Sequence, residues 1–314
     1  MSGLLARRLV ALPFVLLGAA LLIFLLPRMA GVDTVRSVLR SRVAEAEPDP
    51  EVAARVTAEL GLDRSWLEQF LRWLGHALTG DLGISFATRT PIAPQLGAAL
   101  EVSAVLAAGA LLVAGLVGIP LGVWAARRRG GLADRAVTGF SVLGVAVPEF
   151  VLAPVLVLLL AIAVPLLPAT GWGTPAQAVL PVLTLAAFPT ALAAQLTRAE
   201  TLDALGRPHV AVALAKGIGG AQLIWRHGAR LALTGVTALS GMFFAGLLGG
   251  AVVVEVAFGI PGLGRLLYDA VVGQDLPMLQ SGLLAVVAVA VLAGVGAELL
   301  QLALDPVARS EAET

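Results

Sequence analysis

Charged side chains are scarce in this sequence. Of its 314 residues only 13% are charged, 58% are hydrophobic, and the mean hydropathy is +0.92. A soluble domain carries about a quarter charged residues. This chain has too few to cover a soluble surface, which excludes an ordinary soluble enzyme. The 21 basic and 21 acidic side chains cancel, and this balance gives no indication of a nucleic-acid partner.

Cysteine is absent, and lysine occurs once, at Lys216. Without cysteine the chain has no disulfide framework, no thiolate metal site and no thiol nucleophile. A phosphate-binding loop needs Gly-Lys followed by Ser or Thr, whereas here the lysine stands between Ala215 and Gly217. The sequence therefore predicts no ATP site in this chain, and uphill transport would need an ion gradient or another subunit.

Histidine is also sparse. The three histidines (His76, His209 and His227) lie outside the long apolar windows, and neither HExxH nor GxSxG occurs. Hydrolysis inside a bilayer needs a nucleophile with a base, or a metal. We therefore predict no catalytic residues and no metal site.

Long apolar windows dominate what is present. A membrane-spanning helix needs about 20 apolar residues, and five windows meet or approach this length. The window at 150–197 is too long for one helix, and its prolines and glycines between 165 and 175 indicate a turn. We predict an all-α membrane protein with six transmembrane helices. They cover residues 9–27, 102–126, 136–164, 177–196, 231–254 and 276–300.

The first apolar run has a second interpretation. Arg7 and Arg8 precede it, as in a signal peptide, but the run is long for that purpose and no A-x-A site follows. These features favour a retained helix.

The distribution of arginine and lysine predicts the orientation. Basic residues concentrate before helix 1, between helices 2 and 3, between helices 4 and 5 and after helix 6. The loop at 165–176 has none, and the loop at 255–275 has only Arg265. Both termini are therefore expected in the cytoplasm. The resulting parts are a cytoplasmic start at 1–8, an extracytoplasmic segment at 28–100, a core at 101–304 with a cytoplasmic loop at 198–230, and a cytoplasmic end at 305–314.

The extracytoplasmic segment is polar enough to fold outside the bilayer. Pro50 and Gly61 indicate the start and stop of a first helix, and Asp63 is the expected cap of a second. Trp66, Phe70, Trp73 and Leu74 share one stripe of that second helix. This stripe either packs on the membrane helices or forms a docking surface for an external partner.

The loop at 198–230 contains a short helical pattern. Val210, Ala213, Leu214 and Gly217 recur at helical spacing and form a small apolar face. Such a face suits the groove of a partner protein. An interfacial helix resting on lipid is the alternative, but it would need larger apolar anchors.

Glu149 is the one deep carboxylate of the predicted spans. It lies 14 residues into an unbroken helix 3, about 20 Å deep at 1.5 Å per residue. It either lines a polar pathway or is an acid hydrogen-bonded inside the bundle. An ion-coupled carrier usually has several such groups, so one carboxylate gives that function little support.

Several short motifs occur in a characteristic order. They are residues 60–63, 69–74 and 80–85 of the external segment, 118–122, 167–172, 213–217 followed by 225–227, 254–265 and Asp305-Pro306. Together they resemble the first (B-type) permease subunit of the peptide/nickel (dipeptide/oligopeptide) group of bacterial ABC importers, which are binding-protein-dependent transport systems. The resemblance covers nearly the whole chain, and Val254 to Arg265 is its most specific block.

The resemblance implies a larger machine and roles within it. The fold would be a type I importer permease bundle that imports short peptides or a related small solute. Its partners would be a second permease, one or two ATPase subunits that hold ATP and Mg²⁺, and an extracytoplasmic binding protein. This chain would bind no cofactor. The ATPase-coupling residues would be His209, Val210, Ala213, Leu214, Ala215, Lys216 and Gly217. The substrate pathway would include Pro148, Glu149 and Phe150, and an external gate or docking site would include Glu255, Phe258, Pro261 and Gly262.

The sequence also departs from the family pattern. Pro208 and His209 replace the usual acid and tyrosine of the coupling loop, and Gly235 replaces the proline that usually begins helix 5. Glu149 stands where the family usually has a small or polar residue, which makes it the candidate for cargo preference. A self-sufficient ion-coupled carrier and a structural membrane subunit are the alternative functions.

Overall fold

A computed structural model describes residues 2–29, 50–59, 61, 63–206 and 229–304, and these residues are almost entirely helical, with no strand among them. The all-α prediction is confirmed. In the described ranges four helices are long and apolar enough to cross a membrane, and the number rises to six when each of two bent pairs counts as one span. The chain divides into two compact units, Met1–Glu101 with Gly262–Val289 and Val102–Pro261 with Ala290–Thr314.

Twelve α-helices follow one another along the described part of the chain. They are α1 (Ser2–Met29), α2 (Pro50–Glu59), α3 (Trp66–Leu78), α4 (Ile92–Val113), α5 (Ile119–Arg127), α6 (Leu132–Ala146), α7 (Glu149–Val157), α8 (Pro175–Leu205), α9 (Ala229–Gly250), α10 (Val252–Phe258), α11 (Leu263–Val272) and α12 (Leu276–Leu304). A π-helical turn, Ala114–Gly118, joins α4 to α5 without interruption, and a second one, Leu158–Ala163, follows α7.

The unit that contains the N-terminal helix is held together by an aromatic cluster and a buried carboxylate. Phe70 and Trp73 of α3 lie 5.4 and 5.8 Å from Phe24 of α1 between ring centroids. The predicted stripe of α3 thus packs on a membrane helix through Phe70, Trp73 and Leu74, whereas Trp66 is 55% exposed.

The predicted cap of α3 needs one correction. Ser65, not Asp63, occupies the N-cap, where its hydroxyl accepts a hydrogen bond from the Glu68 backbone N–H at 3.3 Å. Gly61 has φ +63°, and its N–H donates to the Ala58 carbonyl at 3.1 Å, as expected for a helix stop.

Asp275 secures the loop that leads into α4. Its carboxylate is buried and accepts hydrogen bonds from the Ser85 hydroxyl and from the backbone N–H groups of Phe86 and Ala87. It also accepts from the Met278 N–H at 3.3 Å and so caps the first turn of α12. The glycine-containing motif at 80–85 is therefore fixed to the start of α12.

In the other unit α8 is the central element. It contacts α5, α6, α7, α9, α10 and the first π-helical turn. Thr174 and Gln177 form a capping box at its start, Pro175 occupies its first turn, and Gly206 follows its last residue. The core around it contains Leu106, Leu180, Leu185, Val254 and Phe258, all fully or almost fully buried.

The single helix predicted over 136–164 is instead two helices. The chain is extended at Val147 and Pro148, and α6 and α7 meet at 107°. The residue before a proline avoids the helical conformation, and proline has no N–H to continue the hydrogen-bond pattern. A smaller bend of 51° separates α9 from α10.

Candidate functional site

Helices α5 and α8 are in close backbone contact within the second unit. A Cβ on Gly122 would lie 2.5 Å from the Ala194 carbonyl oxygen and 2.6 Å from the Thr197 Cβ. A Cβ on Gly118, about one turn earlier, would lie 2.8 Å from both the Ala193 Cβ and the Thr190 carbonyl oxygen. Glycine is required at both positions because the two helix backbones approach without room for a side chain.

An ion pair joins α6 to the same end of α8. The guanidinium of Arg198 donates two hydrogen bonds to the carboxylate of Asp134, and the second, from Nη2 to Oδ2, is 2.9 Å long. Asp134 is buried, and it also accepts from the Gly130 N–H at 2.8 Å. Bidentate pairs of this kind fix direction as well as distance. The end of α8 that leads into the 207–228 segment is thereby held to the start of α6.

The predicted ATPase-coupling residues, His209 to Gly217, lie outside the described residues. The described chain reaches Gly206 on one side and resumes at Ala229 on the other. Helix α8 continues to Leu205, so part of the predicted loop is helical. Near its end Glu200 lies against α9, since a Cβ on Gly235 would collide with the Glu200 carboxylate. Gly235, which replaces the proline usual in the resembling family, thus leaves room for the Glu200 carboxylate.

Polar side chains of α8 and α6 lie buried with little hydrogen bonding. Among the described residues no partner contacts the hydroxyl oxygens of Ser141, Thr190, Thr197 and Thr201, or one carboxylate oxygen of Glu200. A buried polar atom without a partner costs free energy.

Glu149 is the first residue of α7, directly after the break at Pro148. The predicted depth of Glu149 in the membrane, about 20 Å, assumed one continuous helix over 136–164. That assumption is wrong, because α6 and α7 meet at 107°. Pro148 and Phe150 are exposed and Glu149 is partly exposed. The three predicted pathway residues therefore form one short surface at the helix break. A carboxylate in the first turn of a helix is also favoured by the helix dipole.

Glu255 and Phe258 of α10 are buried completely or almost so. The Ser103 hydroxyl of α4 donates to the Glu255 carboxylate at 2.6 Å, and the Gly171 N–H donates to the Phe258 carbonyl at 2.8 Å. The most specific sequence block is therefore connected to α4 and to the turn at 167–172. These two side chains lie inside the unit and not on its surface.

Gly259 ends α10 in the left-handed conformation, with φ +67°, which glycine adopts without steric cost. Pro261 is the last residue of this unit, and Gly262 is the first residue of the next segment and the N-cap of α11. Within the Glu-Val-Ala-Phe-Gly-Ile-Pro-Gly block, Gly259 therefore marks the end of α10.

The pairs that sequence reasoning missed are Asp134 with Arg198 and Ser103 with Glu255. Asp134 and Arg198 flank apolar windows and carry opposite charges, a signal that points to an ion pair but does not select it among other flanking charges. Among the described residues no group of three or more His, Cys, Asp or Glu side chains could hold a metal ion.

The sequence matches a known protein family and several known proteins. Residues 118–310 match the family described as binding-protein-dependent transport system inner membrane component. The glutathione transport system permease protein GsiC of Escherichia coli O6:H1 is 32% identical over 303 residues, which cover 96% of this chain and 97% of the relative. A probable peptide ABC transporter permease of Sinorhizobium fredii is 32% identical over 308 residues with the same coverage. The GsiC of Salmonella paratyphi A is 33% identical over 303 residues.

Proposed function

The chain belongs to the family of binding-protein-dependent transport system inner membrane components, and we propose that it forms half of the translocation pathway of an ATP-driven importer for short peptides or a related small solute. It is an integral inner-membrane protein and a transporter subunit. The observation that carries the proposal is the similarity over 96% of the chain to permeases named for glutathione and for peptides.

The family implies a substrate-binding protein and ATPase partners. We add a second, homologous permease, since one bundle alone would leave the pathway open on one side. ATP and Mg²⁺ would be held by one or two kinds of ATPase subunit, because Lys216 is followed by glycine and cannot form a P-loop. This chain would bind no cofactor itself. In the orientation that the arginine distribution supports, both termini face the cytoplasm.

Coupling would begin at residues His209 to Gly217. Closure of the partner ATPases would push on this segment, and the segment connects α8 to α9. Since α8 is bound to α6 through Asp134 and Arg198 and to α5 through the Gly118 and Gly122 contacts, the three helices would move together. Rocking of such a rigid group between two access states is a known type of transition.

The pathway would use the surface at Pro148, Glu149 and Phe150. A carboxylate there would favour a cationic group of the cargo, such as a peptide amino terminus, because opposite charges attract one another.

Glu255, Phe258, Pro261 and Gly262 would act as a gate element more than as a docking surface. The side chains of Glu255 and Phe258 are buried, so a partner on the outside would contact the turn around Pro261 and Gly262 instead. Movement of that turn would be transmitted to α4 through the Ser103–Glu255 hydrogen bond.

A glycine substitution tests the coupling role. Gly217→Val in the assembled transporter should lower uptake and binding-protein-stimulated ATP hydrolysis together, while the subunit still inserts and assembles. Gly139→Val is the matched control, since no atom lies within 4 Å of a Cβ at Gly139, and it should transport normally. Normal coupled activity in Gly217→Val would remove this role.

A further inference from the structure

A cavity of about 400 Å³ opens in the unit Met1–Glu101 with Gly262–Val289. It is bordered by the last turn of α1, by one side of α3 and by the first turn of α12. Helices α1 and α12 carry candidate spans at Val10–Met29 and Leu276–Gln301. The cavity therefore lies where two apolar spans end, which is the level of the lipid headgroups.

Three arginines line the cavity: Arg28, Arg64 and Arg72. The one carboxylate on its wall, among the described lining residues, is Asp81. That carboxylate already accepts the Gly83 N–H at 3.1 Å and lies 3.0 Å from Nδ1 of His76. The wall therefore has an excess of positive charge, which suits an anion.

Arg28 is held in position before any ligand arrives. Its guanidinium donates to the Phe24 carbonyl at 3.1 Å and to the side-chain oxygen of Gln69, and its Cζ lies 4.1 Å from the centroid of the Phe24 ring. A guanidinium has five N–H donors in a fixed fork, so donors remain for a ligand. Arginine in such a fixed position suits bidentate binding of a phosphate oxygen pair.

Arg64 and Arg72 share one partner, Glu68, and Arg72 lies 3.8 Å from it. All three side chains are about half exposed. One exposed carboxylate between two arginines leaves a net positive charge. These two arginines can therefore turn toward an anion without a buried ion pair being broken.

Much of the remaining wall is apolar, although Gln69, His76 and Gln280 also line it. Phe24, Trp73, Phe86, Leu276 and Pro277 contribute to it. On α3 the side chains of Trp66, Leu67, Leu71 and Leu78 are exposed, as in helices that lie at a membrane surface. A small inorganic anion would use the arginines alone, whereas an amphiphile would use both the arginines and the apolar wall.

We propose that this cavity binds the phosphate headgroup of an anionic phospholipid, with Arg28 and Arg72 as the principal ligands. The inference needs the chain to span a membrane and does not depend on import or on the nature of the cargo. The planar guanidinium of arginine suits the phosphate oxygens of such a headgroup, and the apolar wall suits the adjoining acyl chains.

The full-length subunit in mild detergent provides the test. Binding of phosphatidylglycerol, phosphatidylcholine and inorganic phosphate is measured by native mass spectrometry and by the shift in thermal unfolding midpoint. Phosphatidylglycerol should bind more tightly than phosphatidylcholine, and Arg28→Gln and Arg72→Gln should each weaken its binding about five-fold, as expected for the loss of one basic contact near a membrane surface. Arg55→Gln is the matched control, because Arg55 is an exposed arginine of α2 outside the cavity.

Three outcomes would overturn the proposal. Phosphatidylglycerol binding unchanged in both cavity variants would place the lipid elsewhere. Equal binding of inorganic phosphate would indicate a site for a soluble anion. Unchanged lipid binding together with lost stimulation of ATP hydrolysis by the binding protein would indicate a protein-docking site. Arg72→Lys keeps the charge without the fork and should recover part of the affinity, which separates loss of binding from misfolding.

Discussion

The Gly122→Ala substitution should separate α5 from α8. The new Cβ would lie 2.5 Å from the Ala194 carbonyl oxygen and 3.0 Å from the Arg198 backbone nitrogen, and neither atom can move without moving the helix. Overpacking of this kind costs about 1–3 kcal/mol. Alanine also improves helix propensity by about 1 kcal/mol over glycine. Because the colliding atoms belong to backbone, we expect the upper part of the cost and a net destabilisation of about 2 kcal/mol.

Thermal and denaturant unfolding of the purified subunit in detergent measures this effect. Gly139→Ala is the matched control, because it gains the same propensity and a Cβ there meets nothing within 4 Å. It should be neutral or slightly stabilising. Equal stability of the two variants would refute the claim that α5 and α8 are in backbone contact. A specific loss of transport in Gly122→Ala, with stability retained, would instead show that the contact changes during the cycle.

Three other predictions concern charged groups. Asp134→Asn should weaken the bidentate ion pair with Arg198 and lower the free energy of unfolding by about 1–3 kcal/mol. It should also lower uptake more than it lowers assembly of the transporter. Unchanged uptake would contradict the proposal that α6 and α8 move together during coupling. Glu149→Gln should slow uptake of cationic cargo more than neutral cargo, and equal slowing would support a purely structural role. The Gly83 N–H and the His76 side chain lower the pKa of Asp81, so this stabilisation is complete above the unfolded value of about 3.9 and is lost as the pH falls through the lowered folded value. Proteolysis of the external segment should therefore accelerate only in acid, and Asp81→Asn should remove that part of the pH dependence.

The helical elements follow from local sequence. Apolar length located the long helices, and Pro50 and Gly61 located the ends of α2. For α8 the prediction of 177–196 found the apolar part but missed the polar continuation to Leu205. Trp66 and Ser65 show the limit of this approach. Two candidate caps lie close together in the sequence, and Ser65 is the one used. The apolar stripe of α3 likewise does not tell which of its residues is covered, and Trp66 is left exposed. The partner of the stripe, Phe24, lies more than 40 residues away along the chain.

The break at Pro148 shows why apolar length misleads inside a membrane. The predicted span 136–164 contains Pro148 and Pro154. Such a window fits either a kinked helix or two helices, because neighbouring helices can satisfy the freed backbone groups. The π-helical turn Ala114–Gly118 raises the same difficulty for α4 and α5, which remain continuous although Pro120 lies just beyond the turn. Whether the chain forms one kinked helix or two helices depends on tertiary packing, and hydropathy carries no information about packing.

The site pairs are long-range and could not be selected from one sequence. Ser103 and Glu255 are separated by 152 residues, and Asp134 and Arg198 by 64. The sequence supplies each partner as a polar residue at the edge of, or within, an apolar window. Which partners meet is decided by the order in which α4, α6, α8 and α10 pack.

The most direct test of the account is the composition of the complex. The tagged subunit is purified in mild detergent from its native membrane, and the proteins that accompany it are identified by mass spectrometry. The account predicts a second homologous permease and P-loop ATPases in stoichiometric amounts, with a binding protein recovered when cargo is present. A stable, monodisperse subunit that transports alone in response to an ion gradient would contradict it.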